Sequence, residues 1–295
     1  MSAHTYNKAG NLRAEIARRA GKGFTLIEMI VVIAIMGILG GMIATFVGLP
    51  VQGYVDSARR SGMNDTADIA LQRIRYDVRH ALPNSVQVNP APCSGSAACY
   101  LDLLSVSGSG RYRAAADPAA TGPCGSAAAA VLDFTAADTC FEVLGPPVQF
   151  QTGDQVVINN LGTPGADAYS GNSAATDVRR AYAGASGVPV SLVLMTSVNP
   201  LPSSAVAQDF QIVHEQVRYI CDPVAHTLTR YWGFTIVAPS AVTPTGGSNA
   251  LLASNIGACS FSLPQGNKLL AMQLTITEKG DSISLYGAAH INTVP

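Results

Sequence analysis

GKGFTLIEMIVVIAIMGILGG, residues 21–41, is the stretch on which the fold reading turns. From Met29 to Leu49 no residue is charged, a run of 21 residues. That length makes about 32 Å of α-helix, enough to cross a bilayer. Yet the run opens on a carboxylate, Glu28, and a carboxylate within a bilayer is costly unless it has a partner. A secretory signal peptide has a shorter apolar core and a small-x-small cleavage site, whereas Phe46-Val47-Gly48-Leu49-Pro50 offers none. A plain membrane anchor explains the length and leaves Glu28 as interfacial decoration. Thr25-Leu26-Ile27-Glu28 also fits a capping box, with Glu28 reaching back to the Thr25 amide.

The residues before the run are basic: Lys8, Arg13, Arg18, Arg19 and Lys22 stand against Glu15 alone. By the positive-inside rule this flank is cytoplasmic and the rest of the chain lies outside. Residues 83–295 carry eight Lys and Arg against thirteen Asp and Glu, an acidic balance that argues against a nucleic-acid partner. All six cysteines, Cys93, Cys99, Cys124, Cys140, Cys221 and Cys259, fall beyond the apolar run. An even count there suits an oxidising compartment. Six cysteines allow fifteen pairings. The sequential set, 93–99, 124–140 and 221–259, closes three local loops and is the expected one. Free buried thiols are the alternative; a zinc site needs close Cys pairs that the sequence lacks.

A cut between Gly23 and Phe24 would create an ammonium four residues before Glu28, a partner for its charge in the same or a neighbouring copy. Gly23 suits such a cut because a bare backbone fits a narrow protease cleft. KGFTLIEMIVVIAIMGIL, residues 22–39, resembles the class III signal of type IV prepilins and type II secretion pseudopilins. The resemblance implies cleavage after Gly23 by an inner-membrane prepilin peptidase, methylation of the Phe24 amine and a docking role for Glu28. It also implies a single-pass inner-membrane protein with a periplasmic head, later part of a pilus or pseudopilus.

Beyond the run, Ala67, Leu71, Ile74, Val78 and Ala81 recur at steps of three and four. Arg59, Arg60, Asp65, Arg73, Arg75 and Asp77 fall mostly off that face, and Pro83 ends the pattern. One helix over 24–82, about 88 Å long, bent near Gly48 and Pro50, is therefore expected. From 83 onward short strands alternate with Pro-, Gly- and Ser-rich loops. Phe210–Cys221 and Thr227–Val237 flank an Asp222-Pro223 turn, with Cys221 and Cys259 near strand ends so that their disulfide would staple this sheet. Leu270, Met272, Leu274 and Ile276 share one face of a strand, and Ile283, Leu285 and Ile291 resume after Lys279-Gly280-Asp281. Segments 105–130 and 160–188 read as surface loops. The fold class is α+β: a leader over 1–23, a pilin helix over 24–82 with its transmembrane part at 29–49, and an antiparallel β-rich head over 83–295.

YVDSARRSGMNDTADIALQRIRYDVRHALPNSVQV, VRYICDPVAHTLTRYWGFTIV, LLASNIGACSFSL and the ending ISLYGAAHINTVP resemble the MshO-type minor pilins of mannose-sensitive haemagglutinin (MSHA) pili. That group is similar to the J-type pseudopilin of type II secretion. The resemblance implies a tip or priming complex, with other minor and major pilins, the inner-membrane assembly platform and membrane lipid as partners. A membrane-tethered adhesin or hydrolase head is the reading from another class. No catalytic set emerges: G-x-S-x-G, H-E-x-x-H, a P-loop and a dinucleotide fingerprint are all missing, so neither an enzyme nor a cofactor is expected. His4, His80, His214, His226 and His290 are scattered without metal-ligand spacing. Asp154, Asp167 and Asp177 lie in a loop of the kind that can hold calcium but form no EF-hand. Trp232 beside Tyr231 reads as core.

Overall fold

The computed structural model describes residues 23–91, 93–95, 97–116, 124, 130–264 and 268–292. The basic residues of 1–22 lie outside them. Two compact units divide the chain, one up to Arg59 and one from Arg60 onward. Helix α1 (Leu26–Arg79) belongs in part to each. It starts two residues later and stops three residues earlier than 24–82. Thr25 caps it, and at the other end His80 turns away while Ala81 bridges to Ser105. Pro50 lies inside the helix, where its missing N–H leaves the Phe46 carbonyl without a helical partner.

In the second unit the stripe read from the periodicity is buried: Ala67, Leu71, Ile74 and Val78 are fully inaccessible, and Met63 and Ala70 join them. Asp77 departs from expectation. It is buried with the stripe rather than placed on the solvated face, since position 77 is three residues from Ile74 and so shares its face.

The described strands are β1 (Gln87–Asn89), β2 (Cys93–Gly95), β3 (Cys99–Tyr112), β4 (Cys140–Leu144), β5 (Val148–Gln149), β6 (Gln155–Val157), β7 (Arg179–Ala181), β8 (Pro189–Val190), β9 (Leu192–Leu194), β10 (Asp209–Asp222), β11 (Thr227–Phe234), β12 (Ser248–Ser254), β13 (Ile256–Ser262), β14 (Leu269–Glu278) and β15 (Asp281–His290). One sheet runs β12-β11-β10-β3-β4-β9, with β1 on β3 and the β6–β7 pair on β10; a second runs β15-β14-β13-β2. All the ladders are antiparallel. The fold is α+β, a long N-terminal helix followed by an antiparallel β-rich globular part.

The long strands β3 and β10 pair from Asp209↔Arg111 to Cys221↔Cys99. Each changes its other neighbour midway. β3 takes β1 at Tyr100–Asp102 and β4 at Arg111–Tyr112. β10 takes β6 at 211–213 and β11 at 216–222. One core follows each half. Leu101, Leu103, Val217 and Tyr219 pack with the helical stripe and the second sheet. Tyr112, Phe210 and Ile212 pack with Phe141, Phe150 and Val193.

Both hairpins predicted late in the chain are present. β10 turns into β11 through a loop in which the Asp222 carboxylate accepts from the Val224 and Ala225 amides. β14 turns into β15 at Lys279-Gly280, both with positive φ, the requirement of a two-residue type I′ turn. Leu270, Met272, Leu274 and Ile276 all face the core, with Ile283 and Leu285 packed against it.

Cys93 is joined to Cys99, Cys124 to Cys140 and Cys221 to Cys259. The last bond does not staple one sheet. Cys221 is on β10 and Cys259 is in the middle of β13, so it ties the two sheets together, as Cys93–Cys99 does between β2 and β3. The loop expectation also needs correcting. Residues 105–112 extend β3, and 160–188 holds Ala168, Tyr169, Val178, Arg179 and Arg180 in buried positions. The Arg180 guanidinium helps to hold the segment, donating to the carbonyls of Ala174, Asp177, Arg179, Asn199 and Pro200 at 2.7–3.3 Å, so a charged side chain satisfies loop carbonyls that no ladder pairs. Part of 105–130 lies outside the described residues.

Candidate functional site

The start of α1 is built from its own backbone. Thr25 Oγ1 accepts from the Glu28 N–H at 3.3 Å, and the Thr25 carbonyl accepts from the Met29 N–H at 3.2 Å. Half of the capping box is thus made by the amide of Glu28 rather than by its carboxylate. Among the described residues nothing hydrogen-bonds or ion-pairs with that carboxylate, which sits in the first turn where the helix dipole favours it. A Cβ on Gly23 would meet nothing within 4 Å, so packing within this chain places no demand for glycine there.

Every residue from Gly23 to Phe46 is exposed. Phe24 is 77% exposed, Leu26 79%, Met36 68% and Phe46 80%. So much contiguous apolar surface is not left to water by soluble proteins. By length and composition this helix can cross a membrane. Gly23, Phe24 and Glu28 stand within six residues of one another at its N-terminal end.

Residues 18–44 match the family model described as the prokaryotic N-terminal methylation motif. No curated protein and no solved structure matches the chain. The motif is of the type IV prepilin kind. It supports a pilin or pseudopilin role, with processing by a prepilin peptidase, membrane anchoring and interaction with other pilins.

The second unit contains two polar centres that the sequence reading missed. Asp77 accepts from Tyr219 Oη at 2.6 Å and from Arg230 Nε at 2.7 Å through Oδ2, and pairs with Arg73 at 3.0 Å through Oδ1. Tyr219 and Arg230 are cross-strand partners on β10 and β11, so the sheet presents both donors to one helical carboxylate. Burial, reinforced by the Asp77 charge and hydrogen bond, pushes the Tyr219 hydroxyl well above the ordinary phenol range. Burial lowers the Arg230 pKa, but the bond and charge of Asp77 outweigh it and leave it raised. Trp232 is half-buried under the Arg230 guanidinium, 4.7 Å from ring centroid to the charge.

Asp102 on β3 accepts from Arg218 Nε and Gln216 Nε2, both at 2.7 Å, and Arg218 Nη1 reaches the Val242 carbonyl at 2.6 Å. Burial raises the Asp102 pKa against the opposing pull of Arg218 and Gln216. These are structural networks, built around carboxylates buried within the second unit.

The aspartates weighed for calcium are separated in function. Asp154 bonds His214 and the Gln151 amide, Asp177 accepts from the Ser173 and Ala174 amides, and Asp167 accepts from the Tyr169 amide. Among the described histidines, His80 contacts the Tyr76 carbonyl and His226 the Ile256 carbonyl. In sequence Asp77 read as one of the charges mostly off the apolar stripe, and its two sheet partners, Tyr219 and Arg230, lie 142 and 153 residues away.

Proposed function

We propose that the chain is a minor prepilin of an MSHA-type type IV pilus, cut between Gly23 and Phe24, methylated at Phe24 and incorporated in few copies into a tip or priming complex. It acts as an assembly subunit, not as an enzyme. The observation that carries this reading is the pairing of an exposed apolar helix with a carboxylate, Glu28, that has no partner among the described residues. Neighbouring helices of the same kind would cover the one and a processed N-terminal ammonium would neutralise the other. The size of the head supports few copies, since residues 83–295 would strain regular packing along a filament shaft. The basic leader and the disulfide-bonded residues beyond the apolar run support a periplasmic head before assembly.

Gly23→Val tests the processing step. The substitution costs the fold nothing, because space around Gly23 is open, but it places a branched side chain in the peptidase cleft. Mass spectrometry of membrane fractions should show only the full-length chain; normal trimming would refute the prepilin reading. Glu28→Gln tests docking. The cap survives because its bond uses the residue 28 amide. What is lost is the charge, worth up to about 3–5 kcal/mol where a buried ion pair is broken. Cells carrying only this variant should process it normally and lose piliation. If they lose secretion of exoproteins instead and keep their pili, the subunit belongs to a type II secretion pseudopilus.

A further inference from the structure

One opening in the second unit is unrelated to the helix. It lies where the outer edge of β10 passes from β6 to β11, at His214 and Glu215, which neither of those partners covers. The register with β3 also slips at this point, between Val213 and Glu215. Such bulges re-aim side chains and are frequent beside binding sites. The resulting cleft, about 410 Å³ in volume, is lined by Gln155, Asn172, Arg179, His214, Glu215 and Phe234, among others. Small-molecule sites have about this size, from roughly 300 Å³ upward.

Arg179 is the reason to read the cleft as a site. It is only 5% exposed, and its Nε donates to the Ala168 carbonyl at 2.8 Å. Among the described residues neither Nη atom is bonded, and the guanidinium forms no ion pair, with Glu215 or any other acid. The nearby Asp167 and Asp177 carboxylates are already committed to backbone amides. Burial alone lowers the Arg179 pKa, and those two charges oppose the shift. Arg179 lines the cleft and its Nη donors are not sealed within the protein, so they are open to a ligand that enters it.

The surroundings are held in place. The Arg180 guanidinium pins the loop that carries Asn172 and Arg179 through its five carbonyl contacts. His214 Nδ1 lies 2.7 Å from Oδ1 of the buried Asp154, and the other oxygen of Asp154 accepts from the Gln151 amide at 2.8 Å. A carboxylate only accepts, so Nδ1 carries the proton and Nε2 is left for another partner. Asn172 and Gln155 add amide groups, linked at 3.5 Å. Glu215 is an acceptor for hydroxyls, and Phe234 supplies an aromatic wall.

We propose that this cleft binds a small polyhydroxylated carboxylate, the chemistry of a uronic acid, with the acid group on the Arg179 fork and the hydroxyls shared among His214, Asn172 and Glu215. A planar carboxylate matches two parallel guanidinium donors. One cation, one acceptor carboxylate and side-chain amides beside an aromatic face suit a sugar acid better than a bare anion. The inference goes beyond the assembly role and stands on different residues, so its outcome is independent of cleavage at Gly23.

The test uses the full chain in detergent micelles, titrated calorimetrically with sodium D-glucuronate, D-glucose and sodium acetate. Glucuronate is expected to bind at least about tenfold more tightly than either control, because only it offers both charge-assisted and hydroxyl contacts. Arg179→Gln, checked for an unchanged melting curve, is expected to remove that advantage. Should that variant melt early, His214→Gln at the rim of the cleft is expected to weaken glucuronate binding several-fold. Glucuronate binding no tighter than glucose or acetate overturns the proposal. So does wild-type affinity in a folded Arg179→Gln protein, or in His214→Gln where the arginine variant does not fold.

Discussion

The two halves of helix α1 share one backbone and obey opposite rules. From Leu26 to Phe46 the residues are almost all apolar and all exposed. From Met63 to Val78 charges are frequent, yet Leu71, Ile74, Val78 and even Asp77 are buried. Hydrophobicity and burial therefore part company within a single element. The second half is covered by strands of its own chain, so it needs only a stripe. The first half has apolar side chains all round and buries them against none of the described residues, which directs its packing to lipid and to other subunits.

The comparison can be broken most severely at Asp77. Asp77→Ala leaves Arg230 and the Tyr219 hydroxyl buried without their acceptor. Removing one partner of a buried pair costs about 3–5 kcal/mol. Urea unfolding followed by the fluorescence of Trp232, the one tryptophan in the chain, should show that loss. A change below about 1 kcal/mol, the scale of a surface ion pair, would mean that Asp77 belongs functionally with the exposed charges.

A comparable loss should follow Cys221→Ser. The bond encloses a sequence separation of 38 residues and ties β10 to β13, for which loop entropy accounts for about 4 kcal/mol. The melting temperature should fall, and Cys259 should become available to a thiol reagent on unfolding. Peptide mapping without reduction that joined Cys221 to another cysteine would remove the link between the sheets.

The smallest effect sharpens the contrast best. Ile74→Val takes one methylene from a fully buried side chain and should cost about 0.5–1.5 kcal/mol. Ile35→Val makes the same change at a site 50% exposed and should leave the unfolding midpoint of the second unit where it was. Equal effects at both positions would show that the first half of the helix also packs on its own chain.

Local chemistry determined much of this protein from sequence alone. An uncharged run of bilayer length, a carboxylate at its start and a glycine before it are properties of neighbouring residues, as are the 3–4 periodicity of the helical stripe and the period-2 faces of the late hairpins. Those were legible because each is specified within a turn or a strand. Burial of Asp77, the bonding of two sheets by Cys221–Cys259, the pinned 160–188 loop and the cleft at His214 were decided elsewhere. They depend on contacts that no single element specifies: Tyr219 and Arg230 over Asp77, Asp154 against His214, and β6 and β11 leaving His214 and Glu215 uncovered between them on β10. The cleft in particular follows from the exchange of strand neighbours midway along β10, a tertiary event with no periodic trace in the sequence.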